Sequence, residues 1–450
     1  MYDAVATEDR NKPSATLVNK GFVNDALSAA SSQGMPGLRI IATSVPCESS
    51  VVEDVKDGID EAANEIVAAF TKSLTAEEKS PKKEAAKPVR LPFKGTLEEV
   101  NRFYYRRGWA DGLPIIPPTE EAVAEMLTGT DLPPDHIVGE LIPRLGKATV
   151  EKIAVNAVMA GALPTYMPIL IAGVQILADP TSGAGTWGVS TGSWAPFWII
   201  NGPIRNDLNI NSGSGALSPG DIANATIGRT MQLIVQNIGG ARKGIEDMGV
   251  LGNPGKYSLV IAENEEENPW EPLHVENGYK KEESTIRVHS PNTYAQLWPL
   301  ASDDEGILRS IVYNVMPGRS GGFSLILTPP HAATLARNGW TKQDVKEFIA
   351  EYSRTPADRL GTYWGTSSPV EGAWLFKNRV PMRATDEVPL IKDPDSITVI
   401  VAGGPGAFIG MLSPSVLHVA GKMMEKIVLP ANWDKLVAKY KNIVPTHVRY

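Results

Sequence analysis

Apolar residues recur along this chain at spacings that predict alternating strands and helices. Short apolar runs at residues 14–18 and 37–45 flank a helix-like segment at residues 22–33. From residue 51 to residue 74, apolar side chains return every three or four positions, which predicts a long amphipathic helix. Those positions are Val55, Ile59, Ala62, Ile66 and Phe70. The order strand, helix, strand, helix predicts a small α/β unit with parallel strands.

A change of pattern near residue 76 predicts a domain boundary. Residues 76–93 are charged, contain proline and lack a period, which is typical of a linker. We therefore expect a small unit at residues 1–75 and a large α/β or α+β domain at residues 94–450. In the large domain, helices are predicted to start after Thr96 and Thr119 and to cover 150–160, 166–178, 221–239, 331–337 and 342–352. Strands are predicted at 194–202, 256–264, 284–290, 323–328 and 396–408.

Composition and charge narrow the choice of partners. With 450 residues and 42% hydrophobic content, the chain can bury a sizeable core. Its formal net charge of −8 gives no general attraction to nucleic acid or to anionic lipid, so we expect neither as a partner. The N-terminus lacks an apolar signal segment, and no apolar run approaches 20 residues. These features predict a cytoplasmic protein.

Cysteine usage excludes several kinds of chemistry. Cys47 is the only cysteine, so the chain has no internal disulfide, no CxxC pair and no thiolate-rich metal site. It follows a predicted strand and precedes the long helix, and a helix N-terminus lowers the pKa of a thiol. Cys47 is therefore a candidate nucleophile, although a buried, inert cysteine is the alternative.

Residues 201–278 concentrate asparagine, glycine and acidic residues between apolar segments. A glycine-rich loop at residues 209–220 precedes the predicted helix 221–239, an arrangement whose free N–H groups favour an anion. The loop matches neither a dinucleotide-binding motif nor a P-loop, and a tight turn capped by Asp221 explains it equally well. The candidate substrate- or anion-binding residues are Asn201, Asn211, Ser212, Asn224 and Arg229. Arg229 is suited either to clamping a substrate carboxylate or to pairing with an acidic neighbour such as Asp221 or Glu263.

An acidic run follows the predicted strand 256–264. Strand ends are where α/β sheets hold their sites, so Glu263, Glu265, Glu266 and His274 are candidate catalytic residues. Carboxylate and imidazole groups also bind divalent ions, which makes Glu265 and His274 candidate metal ligands. The alternative is a solvated acidic loop. A second glycine-rich turn, at residues 401–406, is a further candidate ligand cradle, weakened because Pro405 lacks an N–H.

Four long segments of the chain are GTLEEVNRFYYRRGWADGLPIIPP, NGPIRNDLNINSGSGALSPGDIANATIGR, GNPGKYSLVIAENEEENPWEPLHVENGY and ITVIVAGGPG. Together they resemble bacterial proteins that accompany the UGSC-type domain. Residues 12–75 resemble the second half of the UGSC domain through KPSATLVNKGF and GMPGLRI. That domain is named for selenocysteine or cysteine followed by Gly-Ser-Cys, and this chain has no such motif.

Three functional hypotheses follow. The first is an enzyme that acts on a small polar organic molecule by acid/base or metal-assisted chemistry, with hydrolase, lyase and oxidoreductase left open. The second, implied by the resemblance, is a component of a thiol- or selenol-dependent redox complex whose reactive cysteine lies on another subunit. The third is a non-catalytic binding or scaffold subunit. A half-domain exposes a sheet edge, so we expect a homo- or hetero-oligomer.

Overall fold

A computed structural model describes residues 2–46, 51–75, 92–316, 322–356, 385–415 and 423–443. Its helices are α1 (Tyr2–Glu8), α2 (Val23–Ser32), α3 (Val52–Thr71), α4 (Leu97–Arg106), α5 (Glu120–Leu127), α6 (Val150–Ala160), α7 (Met167–Ala178), α8 (Ala184–Trp187), α9 (Ile204–Asp207), α10 (Ile222–Ile234), α11 (Leu273–Glu276), α12 (Asp304–Val312), α13 (Pro329–Arg337), α14 (Lys342–Tyr352) and α15 (Trp433–Tyr440). Its strands are β1 (Thr16–Asn19), β2 (Ile40–Thr43), β3 (Ile137–Leu141), β4 (Gly146–Thr149), β5 (Phe197–Asn201), β6 (Val260–Ala262), β7 (Thr285–His289), β8 (Pro291–Leu297), β9 (Gly322–Leu327), β10 (Arg354–Pro356), β11 (Glu387–Pro389), β12 (Ile397–Val401), β13 (Ile409–Ser415) and β14 (Met424–Lys426). The chain is thus an α/β protein, as predicted.

The N-terminal residues form a small α/β unit. Strands β1 and β2 are parallel and pair Thr16 with Ile40, which confirms the predicted strand direction. Helix α3 buries Ala62 and Ala69 beside Ile41, whereas Phe70 is 52% exposed. The predicted apolar face of α3 is therefore only partly covered. Of the predicted linker, residues 76–91 lie outside the described ranges.

Two four-stranded mixed sheets dominate the rest of the chain. In the first sheet the strand order is β14-β7-β5-β6, with β5 and β6 parallel and β7 antiparallel to β5 and β14. In the second sheet the order is β12-β9-β13-β8, with β12 and β9 parallel and β13 antiparallel to both its neighbours. Two-stranded ribbons, β3-β4 and β10-β11, lie outside these sheets.

Alternate residues of the strands enter different cores, which shows how the layers stack. In β5, Trp198 and Ile200 join a core with helices α6, α7 and α10, whereas Phe197 and Ile199 join the residues between the sheets. In β9, Leu325 packs with helices α12, α13 and α14, whereas Ile326 faces the first sheet. Because side chains alternate faces along a strand, the two sheets lie face to face with helices on both outer sides. The order of layers is helix, sheet, sheet, helix.

The most apolar segments of the sequence belong to elements that are covered on more than one face. Every residue of β5 is buried, and α7 is buried along almost its whole length because it lies between the first sheet and helices α6 and α10. This confirms that the apolar segment 166–178 is central to the core. No helix in the described ranges combines the length and the apolarity needed to span a lipid bilayer.

The sequence patterns missed strands β8 and β13 and helix α12. Strand β8 is the edge of the second sheet, and only Pro291 and Leu297 at its two ends are buried, so its polar residues break the apolar run. Strand β13 contains Gly410 and Ser413, which weaken strand propensity. Both strands depend on pairing with β9 or with each other, a long-range contact that local propensity does not report.

Candidate functional site

The carboxyl ends of the parallel strands from both sheets meet at one edge of the sandwich. The N–H of Glu263, after β6, donates to the carbonyl of Ile200 at 3.1 Å, and the N–H of Asn264 donates to Val401 at 2.7 Å. The N–H of Gly403, after β12, donates to the carbonyl of Ser212 at 2.9 Å. The loops around residues 212, 263 and 402 are therefore joined by backbone hydrogen bonds at the position where α/β sheets usually hold ligands.

A cleft of about 450 Å³ opens beside these loops. One wall is formed by the loop residues 214–218, and another by the turn residues 402–406. The inner face of the second sheet supplies the floor through Ile326, Gly410 and Gln296. None of the described residues that line the cleft carries a formal charge.

The turn after β12 requires glycine at two positions. Gly403 has φ +98°, in the left-handed region that disfavours residues with a Cβ. A Cβ on Gly404 would lie 2.0 Å from Ser214 Oγ and 3.0 Å from its Cβ. The two loops that wall the cleft can therefore approach this closely only because residue 404 lacks a side chain.

The predicted anion-binding asparagines shape the glycine-rich loop from within. Asn211 donates to the Asp221 carboxylate at 2.8 Å and accepts from the N–H of Gly213 at 2.8 Å. Asn224 accepts from the N–H of Asn211 at 2.9 Å and donates to the carbonyl of Val260 at 3.2 Å. Ser212 is buried. The two asparagine side chains form their hydrogen bonds with the loop, with Asp221 and with β6. The cleft wall is formed by residues 214–218, which lie between the two asparagines along the chain.

The candidate residues of the acidic run lie in a buried polar network. Glu263 is fully buried and accepts from Asn201 Nδ2 at 2.6 Å and from the N–H of Leu273 at 2.7 Å. Lys342 Nζ lies 3.6 Å from the same carboxylate. A buried carboxylate needs such donors, because it has lost its water. The alternative interpretation, a solvated acidic loop, is therefore wrong for Glu263.

Glu265 is held by two hydrogen bonds and an ion pair. Its Oε1 accepts hydrogen bonds from the N–H of Gly202 at 2.7 Å and from Asn201 Nδ2 at 3.1 Å. It also forms an ion pair with Arg205 Nε at 3.0 Å, while the Nε–H itself donates to the Gly202 carbonyl. The network thus ties the start of the acidic run to the residues that follow β5.

Glu266 is the partly exposed member of the run. Burial acts to raise its pKa, but hydrogen bonds from Arg205 and Asn206 outweigh this and lower the pKa to about 2. A carboxylate with such a pKa is a weak base at neutral pH, which favours a role for Glu266 as a counter-ion of Arg205 over a role in proton transfer.

His274 has no exposed surface, and neither ring nitrogen has a hydrogen-bond partner among the described residues. Its Nδ1 lies 3.8 Å from Glu265 Oε1. The described part of the chain contains no group of three His, Cys, Asp or Glu side chains placed to hold a metal ion. Binding of a divalent ion by Glu265 and His274 stays a prediction, and such an ion would compete with the two hydrogen bonds and the ion pair that hold Glu265.

The sequence patterns missed Arg205 and Lys342, although both are buried at the centre of the network. Arg205 lies four residues after Asn201, so its position just beyond a strand end was an available signal. Lys342 begins α14 on the other side of the sandwich and also donates to the carbonyl of Glu271 at 2.7 Å. Its distance along the chain from Glu263 left no local signal.

Arg229 pairs with an acidic residue that sequence proximity did not indicate. Its guanidinium binds Asp111 in bidentate fashion, with Nε–Oδ2 2.8 Å and Nη2–Oδ1 3.0 Å. It also donates to the carbonyl of Pro114 at 2.9 Å. The pair fastens the loop between α4 and α5 to α10, which favours the structural interpretation of Arg229. Cys47, the candidate nucleophile, lies outside the described residues.

Comparison with known proteins adds one finding about the N-terminal unit. The fold and the site together define the class of this protein. It is an α/β chain with two facing mixed sheets and a neutral cleft at the carboxyl ends of their parallel strands. Within it, residues 1–72 match the model of the UGSC family. No curated protein and no solved structure matches the chain. The family match covers the small unit and does not extend to the cleft.

Proposed function

We propose that this protein binds a small polar organic molecule in the cleft between its two sheets, as the binding step of an enzyme activity. The observation that carries the proposal is the open cleft of about 450 Å³ at the carboxyl ends of the parallel strands. Its volume falls within the range of small-molecule sites. Two glycine-containing loops and the inner face of a sheet form its walls, so backbone groups and hydroxyls are available to a polar ligand.

A variant that fills the cleft tests this proposal. Ser218 is exposed on the cleft wall, so Ser218→Trp is expected to occupy the ligand space without disturbing the core. Gln343→Trp places the same side chain at an exposed position of α14 and serves as the control. A ligand that binds only the folded state at 100 times its Kd stabilises it by about 2.7 kcal/mol.

The measurement is the unfolding temperature of the full chain against a set of small metabolites. We expect at least one compound to raise the Tm of the wild type and of Gln343→Trp, and not that of Ser218→Trp. Equal stabilisation of Ser218→Trp by every active compound would place binding elsewhere and overturn the proposal, as would a complete absence of active compounds.

Acid/base chemistry by Glu265 and His274 is a second candidate function. It is favoured by one observation, the buried imidazole whose two ring nitrogens accept or donate no hydrogen bond within the described residues and whose Nδ1 lies 3.8 Å from Glu265. The test compares Glu265→Gln and His274→Gln for turnover of a compound found in the screen. Loss of turnover with retained binding and retained Tm would support the role. Unchanged turnover in both variants would contradict it.

A further inference from the structure

Three aromatic residues gather at the mouth of the cleft, and we call them the aromatic rim: Tyr294, Trp298 and Phe408. Tyr294 and Phe408 line the cleft itself. The Trp298 ring meets the Phe408 ring at 5.3 Å between centroids and 84° between planes. Trp298 is 77% exposed and Tyr294 is 47% exposed. Such exposed aromatic surface beside a concave site typically marks a contact with a ligand.

The cleft floor contains a glycine in the middle of a strand. Gly410 lies in the middle of β13, opposite Gln296 of β8 and Ile326 of β9. A Cβ on Gly410 would lie 3.0 Å from the Cβ of Ile326. A glycine inside a strand marks a place where another group approaches the backbone closely, and here that group is the Ile326 side chain of β9. No side chain of residue 410 therefore stands between Gln296 and Ile326 on the cleft floor.

The polar groups of the cleft are neutral. Ser214, Ser218, Gln296 and Thr328 contribute hydroxyls and an amide, and the Thr328 hydroxyl is oriented by donating to the Gly406 carbonyl at 2.7 Å. A charged ligand would lose water here without meeting an opposite charge on the lining residues, which is costly. A neutral amide or hydroxyl group would instead find matching donors and acceptors.

We propose that the ligand is an uncharged molecule with a flat unsaturated ring that stacks on the aromatic rim and an amide or hydroxyl group that bonds to Gln296. This inference rests on the proposed function, because it concerns the same cleft. It adds two requirements that a general small-molecule site does not have, planarity and the absence of charge.

Three small probes separate these requirements. Benzamide is planar and neutral, benzoate is planar and anionic, and cyclohexanecarboxamide is neutral without an aromatic ring. Binding to the full chain is measured by saturation-transfer NMR at millimolar probe concentration. We expect benzamide to bind about tenfold more tightly than either of the others, a difference of about 1.4 kcal/mol.

Variants assign the preference to the proposed groups. Trp298→Ala and Gln296→Leu change exposed side chains, so both are expected to keep the wild-type Tm. Each is expected to weaken benzamide binding by about threefold to tenfold. Tyr313→Ala removes an aromatic side chain that is 61% exposed and lies outside the cleft lining, and it should leave benzamide binding unchanged.

The outcomes distinguish failure of this inference from failure of the proposed function. Benzoate or cyclohexanecarboxamide binding as tightly as benzamide, or no binding by any probe, would overturn the inference. If benzoate or cyclohexanecarboxamide bound the wild type and this binding were lost in Ser218→Trp, the cleft would still be the ligand site. Benzamide binding that Ser218→Trp leaves intact would overturn the inference by placing the probe outside the cleft.

Discussion

At the scale of single residues, Arg205 places a buried guanidinium between the buried carboxylate of Glu265 and the half-exposed carboxylate of Glu266. It is 3% exposed and contacts Glu265 at 3.0 Å and Glu266 at 3.2 Å. It also donates to the carbonyl of Glu263 at 2.6 Å. A buried cation stabilises the fold only together with its acceptors, because the cation and each buried acceptor lose water on folding.

Replacement of Arg205 by methionine is expected to destabilise the protein by about 3–5 kcal/mol, because the Glu265 carboxylate loses its counter-ion in the interior. The control is Arg309→Met. Arg309 forms an exposed pair with Glu305 one helical turn away, so its loss should cost less than about 1 kcal/mol. Urea unfolding of both variants measures the difference. Equal effects would show that the buried network contributes no more than a surface ion pair.

At the scale of elements, the close contact between the loop at residue 214 and the turn at residue 404 defines the cleft. Gly404→Ala is expected to push the loops apart and to destabilise the protein by about 1–3 kcal/mol, because the new Cβ meets Ser214 at 2.0–3.0 Å. In the control, Gly406→Ala, the new Cβ meets no atom of the described residues within 4 Å, so the change should stay within about 0.5 kcal/mol.

Urea unfolding measures both glycine variants, and binding of a cleft ligand to each provides a second reading. A smaller effect at Gly404 than at Gly406 would contradict the close packing of the two loops.

The helices and strands differed in how clearly the residues within them predicted them. Helix α6 was predicted at its observed bounds because its apolar residues face a core on the helical period. Strand β8 was not predicted, because its residues at the cleft are polar and exposed and therefore show no pattern of buried positions. The candidate site shows the same difference between local signals and long-range contacts. The strand-end position of Glu263 was visible, whereas its partner Lys342 came from the opposite layer.

At the scale of the whole molecule, the N-terminal unit contacts the larger part through helix α2. Ser28 donates to the Glu246 carboxylate at 2.5 Å, and Ser32 donates to the carbonyl of Pro143 at 3.2 Å. Asp25, on the same helix, has its pKa raised to about 6 by burial and by the negative charge of Glu246. The contact therefore places the carboxylates of Asp25 and Glu246 close together.

This pair predicts a pH dependence of stability. The ordinary pKa of an aspartate side chain is 3.8, so Asp25 holds its proton more tightly in the folded state than in the unfolded chain. Stability should consequently fall as pH rises from about 4 to about 6, and the cost should persist at neutral pH. Asp25→Asn is expected to raise the Tm at pH 7 and to flatten this dependence. Asp9→Asn, an exposed change in the same unit, is the control. A Tm of Asp25→Asn below that of the wild type at pH 7 would contradict the repulsion.

Assembly is the remaining prediction at this scale. Among the described strands, β1 and β2 pair only with each other, so each leaves one edge to which another strand could be added. We therefore propose a homo- or hetero-oligomer, including a complex with a cysteine-containing subunit as the redox hypothesis requires. Light scattering after size exclusion should give a mass above that of the 48.4 kDa chain. A lone monomer at micromolar concentration, purified without a partner, would contradict it.

The amino-acid sequence by itself determined the α/β class, the parallel N-terminal pair and the apolar helix at the centre of the core. These depend on local spacing, because the face that a helix or strand buries is written in neighbouring residues. Only the tertiary structure decided that Asp111 binds Arg229, that Glu263 lies buried beside Lys342 and that the turn at residue 404 walls a cleft. Such contacts join segments that lie far apart along the chain, so they depend on how the layers stack. The stretch at residues 201–278 thus supplies one wall of the cleft, the turn at residues 402–406 supplies another, and the second sheet supplies the floor.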